Sequence, residues 1–182
     1  MTNYVAMVRG VSPSTPPRNN ASILKALETL GFANLASVLS SGNYVFSADA
    51  TTTNELEEQI ELAFIRELGL SLLTIVRSQQ QIQQLVENNP LAAVYHGRGS
   101  YQLVTFFKQP VDLSLKLPYQ PEDRAFQLIG SLDGALYTLT DNRVEETVSV
   151  MAWLEHRFTP DLTSRTPQSL QKILNKMSKF AG

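Results

Sequence analysis

A chain of 182 residues, 43% hydrophobic and without cysteine, suits one large domain or two small ones and holds a core without staples. The missing thiols exclude disulfides, thiol nucleophiles and Cys-ligated zinc, and the two histidines, His96 and His156, have no partner at helical metal-ligand spacing. A net charge of −2 with 18% charged residues, against roughly 25% on average, sets up no positive field for nucleic acid or acidic lipid.

Taken in chain order, Tyr4-Val5-Ala6-Met7-Val8 reads as a buried strand that ends at Arg9-Gly10. The segment 12–20, SPSTPPRNN, is a loop by its Pro, Ser and Asn content. A helix is predicted from about Ser22, with Ile23, Leu24, Leu27 and Leu30 on one face and Gly31 as its stop. In VLSSGNYVFSA (38–48) two apolar runs flank Ser41-Gly42-Asn43, a hairpin. Thr52-x-x-Glu55 forms a capping box for a helix bearing Leu56, Ile60, Ala63, Phe64 and Leu68, and Leu72 to Val76 reads as a strand. The order β-α-β-β-α-β is that of a ferredoxin-like lobe, an antiparallel sheet with two helices on one face, assigned to residues 1–78.

The remainder, 79–182, reads as a smaller α+β lobe with terminal helices. Ser78-x-x-Gln81 starts a helix that ends at Asn88-Asn89-Pro90, and Tyr95 to Gly99 is a hinge or loop. Gln102 to Phe107 is a strand, a Pro-punctuated loop runs from Pro110 to Pro121, and Asp133-Gly134 signals a type I′ hairpin within 126–140. Two helices finish the chain, the last opening at Thr166-Pro167 with Leu170, Ile173, Leu174 and Met177 inward. Strand, hairpin and helix recur in both halves without a sequence repeat.

Topology narrows where a site would lie. A right-handed crossover makes the first two strands parallel, so the end of the first strand and the hairpin tip share one rim of the sheet. With the third strand beside the first, Arg9-Gly10 and Ser41-Gly42-Asn43 become neighbours at the N-terminus of the first helix, near Arg18. A tight turn alone accounts for Gly42 and Asn43. Converged with a guanidinium, the same groups suit a phosphate or carboxylate.

The start YVAMVRGV, the loop-helix ending ETLGF, then SSGNYVFSA and the amphipathic helix after it resemble the domain-of-unknown-function family numbered 1697. The resemblance is close over residues 3–90 and holds by element order over 100–180. Members begin with a strand ending Leu-Arg-Gly-Ile-Asn, carry a Ser-Gly-Asn hairpin and close on Arg-Asn-Trp-Asn-Thr followed by Lys-Leu. Arg9 and Gly10 match the first motif, Ser41, Gly42 and Asn43 the second, and Arg165 and Lys172 the tail. The family's Gly-Gly-Lys-Asn-Lys loop is Ser-Thr-Pro-Pro-Arg-Asn here, Thr166-Pro167-Gln168-Ser169 replaces Asn-Trp-Asn-Thr, and a Ser-Lys-Leu-Thr stretch has no match. The resemblance implies an α+β fold and a bacterial, soluble, cytoplasmic setting, and it implies no activity.

Other chemistries are weakly supported. Phe106, Phe107 and Phe126 read as core, without the basic motif of an RNA platform, and Lys172, Lys176 and Lys179 read as a solvated helix face. Glu122, Asp123, Glu145 and Glu146 have no acid partner at a set spacing, and no phosphate loop or nucleophile elbow occurs. The chain lacks a signal-peptide core and any run of roughly 18 apolar residues. The expectation is therefore a binding or regulatory protein that takes a small anionic ligand at Arg9, Gly10, Ser41, Gly42 and Asn43, facing Arg165 and Lys172. It calls for no cofactor, metal, membrane or nucleic acid, and leaves homo-oligomerisation open. Two alternatives stand: an enzyme using the same cleft with His96 or Asp123 as proton carrier, or a module pairing through a sheet edge.

Overall fold

In the computed structural model, residues 1–94 and 97–180 are described; His96, the candidate proton carrier, lies outside them, as does Tyr95. The chain forms two compact units, 1–84 with 168–182 and 85–167. The first cut falls at 84/85, where residue 78 was expected, and the last helix groups with the first unit. Helix membership depends on which apolar face receives Leu170, Ile173 and Met177, all buried, and periodicity does not name the receiver.

The first unit runs β1 (Thr2–Val8), α1 (Asn20–Glu28), β2 (Ala33–Ser37), β3 (Asn43–Ala48), α2 (Thr53–Leu68) and β4 (Thr74–Ser78). The sheet order is β2-β3-β1-β4 with every neighbouring pair antiparallel. This is the ferredoxin-like arrangement expected from the sequence, with β1 and β2 parallel and separated by β3. Tyr4, Ala6 and Val8 on β1 join Tyr44 and Phe46 on β3 and Ile23, Leu27, Ile60 and Phe64 from the helices in one core. Asn19 caps α1 through its side chain, accepting from the Ser22 amide at 2.9 Å. Thr52 and Glu55 make both arms of the capping box of α2, which ends at Gly69 in the left-handed conformation.

The exposed side of β4 is closed by side chains rather than by another strand. The amides of Thr74 and Val76 donate to Glu61 Oε1 at 2.9 Å and Glu57 Oε1 at 2.8 Å, and Ser78 donates to Gln81 Oε1 at 2.9 Å. One helical step of four residues, about 6 Å, nearly matches two strand residues, about 6.8 Å. Carboxylates four apart on α2 can therefore serve amides two apart on β4. Gln81 opens α3 (Gln79–Glu87), and its own amide returns a bond to the Ser78 hydroxyl at 3.2 Å.

The second unit holds a short 3-10 turn (Pro90–Ala93), β5 (Ser100–Phe107), β6 (Phe126–Leu132), β7 (Ala135–Asp141), α4 (Thr147–Arg157) and β8 (Leu162–Arg165). Its order, β6-β7-β5-β8, repeats the order of the first sheet. The element corresponding to α1 is absent; in its place Val111, Leu113, Leu115 and Leu117 alternate half-buried with exposed residues and pack on the core of Phe107, Phe126, Leu128, Val150 and Leu154. Asp133 and Gly134 both have positive φ, as a type I′ turn requires. Strand β8 was not expected, since four residues with Thr163 and Ser164 at their centre carry no apolar alternation; pairing with β5 makes it a strand. The chain then enters α5 (Pro167–Met177), whose Met177 carbonyl accepts from Asn3. Among the described residues no helix is long and apolar enough to cross a membrane.

Glu145 joins β6 to the start of α4. Its side chain is 9% exposed, and its oxygens accept from the Ala125 amide, the Ser149 hydroxyl and the Arg124 guanidinium at 2.8 to 2.9 Å. Burial alone would raise its carboxyl, but those donors together hold it below the usual glutamate range.

Two outcomes follow from these contacts. Gly42 and Gly134 share a positive φ, +77° and +72°, but a Cβ at Gly42 would lie 2.5 Å from the Val8 carbonyl oxygen, whereas one at Gly134 meets nothing within 4 Å. Gly134→Ala should lose about 1 kcal/mol for the left-handed backbone, and Gly42→Ala clearly more, measured by urea unfolding. For Glu145, a depressed folded-state value means its contribution is complete above the unfolded value near roughly 4.3 and fades as pH falls through the lower folded value. The stability advantage of the wild type over Glu145→Gln should therefore shrink between pH 6 and pH 3.

Candidate functional site

Strand pairing brings the first two motifs together. The Val8 amide donates to the Gly42 carbonyl at 2.8 Å, the Arg9 amide donates to the Leu73 carbonyl at 2.9 Å, and Met7 faces Asn43 across the ladder. Arg9 is half-buried at the end of β1, while Gly10 and Ser41 are exposed and Gly42 is buried. Gly42 is tight on two sides, because an added Cβ would also lie 2.9 Å from Val11 Cγ2. Arg18 is exposed and donates through Nη1 to the Gly10 carbonyl at 3.3 Å. No aspartate or glutamate occurs in 9–20, 38–43 or 69–73, the segments that meet here.

Asn43, expected to orient a ligand, bonds within its own loop. It is fully buried, and its Nδ2 donates to the Val38 carbonyl at 3.1 Å and the Ser41 hydroxyl at 3.0 Å. The amide thus stitches the loop between β2 and β3, which is longer than a two-residue turn and holds Leu39 at φ +63°. A branched side chain in that region is unusual. The Leu39 carbonyl accepts from Asn20 Nδ2 at 3.3 Å, and Asn20 Oδ1 accepts from the Tyr44 hydroxyl at 2.7 Å, so the loop is also tied to the first turn of α1.

The two residues matched to the family's tail belong to different units. Arg165 belongs to the second unit, is 7% exposed, and bonds the Thr163 hydroxyl at 2.7 Å and the Ser164 carbonyl at 2.8 Å of its own strand. Lys172 is exposed on α5. Asp123 is exposed at the turn before β6, with φ +57°, and His156 is exposed on α4. Among the described residues no group of three or more His, Cys, Asp or Glu could hold a metal ion.

Sequence reasoning passed over a cavity of about 560 Å³ in the second unit, lined among others by Arg98, Gly99, Ser100, Leu139, Asp141 and Arg143. Asp141 Oδ1 accepts from the Arg143 amide at 3.0 Å and from its Nε at 2.9 Å, and Oδ2 accepts from Nη2 at 2.8 Å. These bonds hold the Asp141 carboxyl down at about 2 and raise the Arg143 guanidinium. The one sequence signal was the arginine bracketed by Gly97 and Gly99. Its neighbours come from a strand end and a turn about forty residues later, which only the β5–β7 pairing brings near: Ser100 faces Asp141.

A search of curated proteins finds no match. Among solved structures, the conserved bacterial protein SP0830 from Streptococcus pneumoniae is similar over 98% of this chain and 99% of its own, with a TM-score of 0.68 and 19% identity. That likeness supports the fold alone. Residues 1–128 match the family described as protein of unknown function, DUF1697. The match spans well over half of the chain, which therefore belongs to the DUF1697 family.

Proposed function

We propose that the protein binds a small anionic ligand, a phosphate or carboxylate, at the rim formed by Arg9, Gly10, Ser41 and Gly42. The observation that carries this reading is the bond from the Val8 amide to the Gly42 carbonyl, which gathers segments containing Arg9 and Arg18 and no acid. Arg9 and Arg18 supply charge, the Ser41 hydroxyl orients, and the first turn of α1 adds backbone donors beyond the one amide that Asn19 serves. Asn43 acts indirectly, by holding Ser41 in place.

The reading is of binding rather than catalysis. Guanidiniums, a hydroxyl and amides make a receptor for charge, and the rim segments carry no imidazole or carboxylate to move a proton.

Thermal unfolding in the presence of inorganic phosphate, citrate and adenosine monophosphate tests it. At least one anion should raise the midpoint in a saturable way, and Arg9→Ala should abolish that rise while leaving the unliganded midpoint within a few degrees. A stabilisation that persists in both Arg9→Ala and Arg18→Ala, or no stabilisation by any of the three, overturns the assignment.

A further inference from the structure

The geometry points to a second binding site, independent of the rim: the cavity beside Gly97–Ser100 takes a small organic anion whose carboxylate or phosphate meets Arg98 and Arg143 and whose flat apolar body lies on Leu139. Its volume, about 560 Å³, falls in the range of roughly 300–1,000 Å³ typical of small-molecule sites.

Charge comes first. The cavity is lined by two guanidiniums, Arg98 and Arg143, and one carboxylate, Asp141, which leaves one net positive charge. The Asp141 carboxylate is committed to Arg143, whose amide, Nε and Nη2 all donate to it. Arg143 spends Nε and one Nη2 hydrogen on that pairing and keeps its remaining guanidinium hydrogens. Arg98 is exposed and makes no hydrogen bond or ion pair among the described residues.

The placement of Arg143 is built rather than incidental. Its side chain lies flat against Gly99, where a Cβ would come within 2.5 Å of Nε and 2.6 Å of Cδ. The Gly99 carbonyl accepts from the Asn142 amide at 2.7 Å, and the Gly97 amide donates to the Ser100 hydroxyl at 2.9 Å. The strand end and the turn are thus tied before any ligand arrives, which lowers the ordering cost of binding, while the Arg143 side chain stays exposed and is oriented by its pairing with Asp141. Beside the charges, Leu139 is half-buried on the same face as Gln127, with which it pairs across β6 and β7. Gln127 Nε2 donates to Gln120 Oε1 at 3.0 Å, and Gln120 Nε2 to the Arg124 carbonyl at 2.8 Å. That chain leaves Gln127 Oε1 as an acceptor for a hydroxyl or amide on the ligand's body.

Benzoate, phenyl phosphate, inorganic phosphate and neutral benzamide are the probes, titrated against the ¹⁵N-labelled protein by NMR. Benzoate or phenyl phosphate should shift the amides of Gly97, Gly99, Ser100 and Arg143 saturably, at least tenfold more tightly than inorganic phosphate, with benzamide silent. Arg98→Ala, at an exposed position, should weaken binding at least fivefold in an otherwise unchanged spectrum. Gly99→Ala, which displaces Arg143, should do the same by a separate route. Equal binding of benzamide, inorganic phosphate as tight as the aromatic anions, binding unchanged in both variants, or no saturable shift at these amides overturns the proposal. Shifts confined to Arg9 and Ser41 would also overturn it while leaving the rim assignment standing.

Discussion

Where β1 ends, the Val8 amide reaches the Gly42 carbonyl on one side and the Arg9 amide reaches the Leu73 carbonyl on the other, at 2.8 and 2.9 Å. β1 is an inner strand of its sheet, so these two bonds tie together the loop after β1, the loop before β3 and the approach to β4. A side chain on the donor's partner would strain this bond: with 2.5 Å between a notional Cβ at position 42 and the Val8 carbonyl oxygen, any residue but glycine must push the backbone aside. Asn43 then turns inward and fastens Val38 and Ser41, and the loop reaches across to Asn20 at the start of α1. The rim groups that could meet an anion are therefore positioned by the same bonds that close the sheet.

A second theme is how polar side chains finish what the ladders leave open. Strand edges invite pairing with other chains, and here several are already taken. Glu57, Glu61 and Gln81 serve the outer amides of β4, and Tyr119 exchanges both backbone bonds with Leu128 on β6. Arg165 bonds a hydroxyl and a carbonyl of β8 itself. The carboxylates of Glu57 and Glu61 are thus part of the sheet's own hydrogen-bond accounting.

Much of this was legible in the residues, and the gaps have physical causes. Thr52 and Glu55, Ser78 and Gln81, Asp133 and Gly134 announce local structures whose partners lie within a few residues, and each forms as read. β8 was missed because its strand character is supplied by β5, more than fifty residues earlier. The approach of the end of β1 to the Gly42 turn could be argued from chain direction, since a crossover makes β1 and β2 parallel and β3 then lies beside β1. The inward turn of Asn43 could not, because an asparagine at a loop end serves the loop or a ligand with equal chemistry. The Arg98 and Arg143 cavity was invisible for a different reason. Its members sit on a strand end and a turn that only the antiparallel register of β5 and β7 aligns, a pairing of segments about forty residues apart.

The extended segment that stands in for the first crossover helix of the second unit carries a consequence of its own. Val111, Leu113, Leu115 and Leu117 reach the core at every second residue. A helix absorbs a one-residue change by rotating its stripe through part of a turn, but a two-residue period inverts completely. Length variation among relatives should then be biased in this stretch toward even numbers of residues, an arithmetic constraint on insertions that the first unit, with α1 in the same place, does not share.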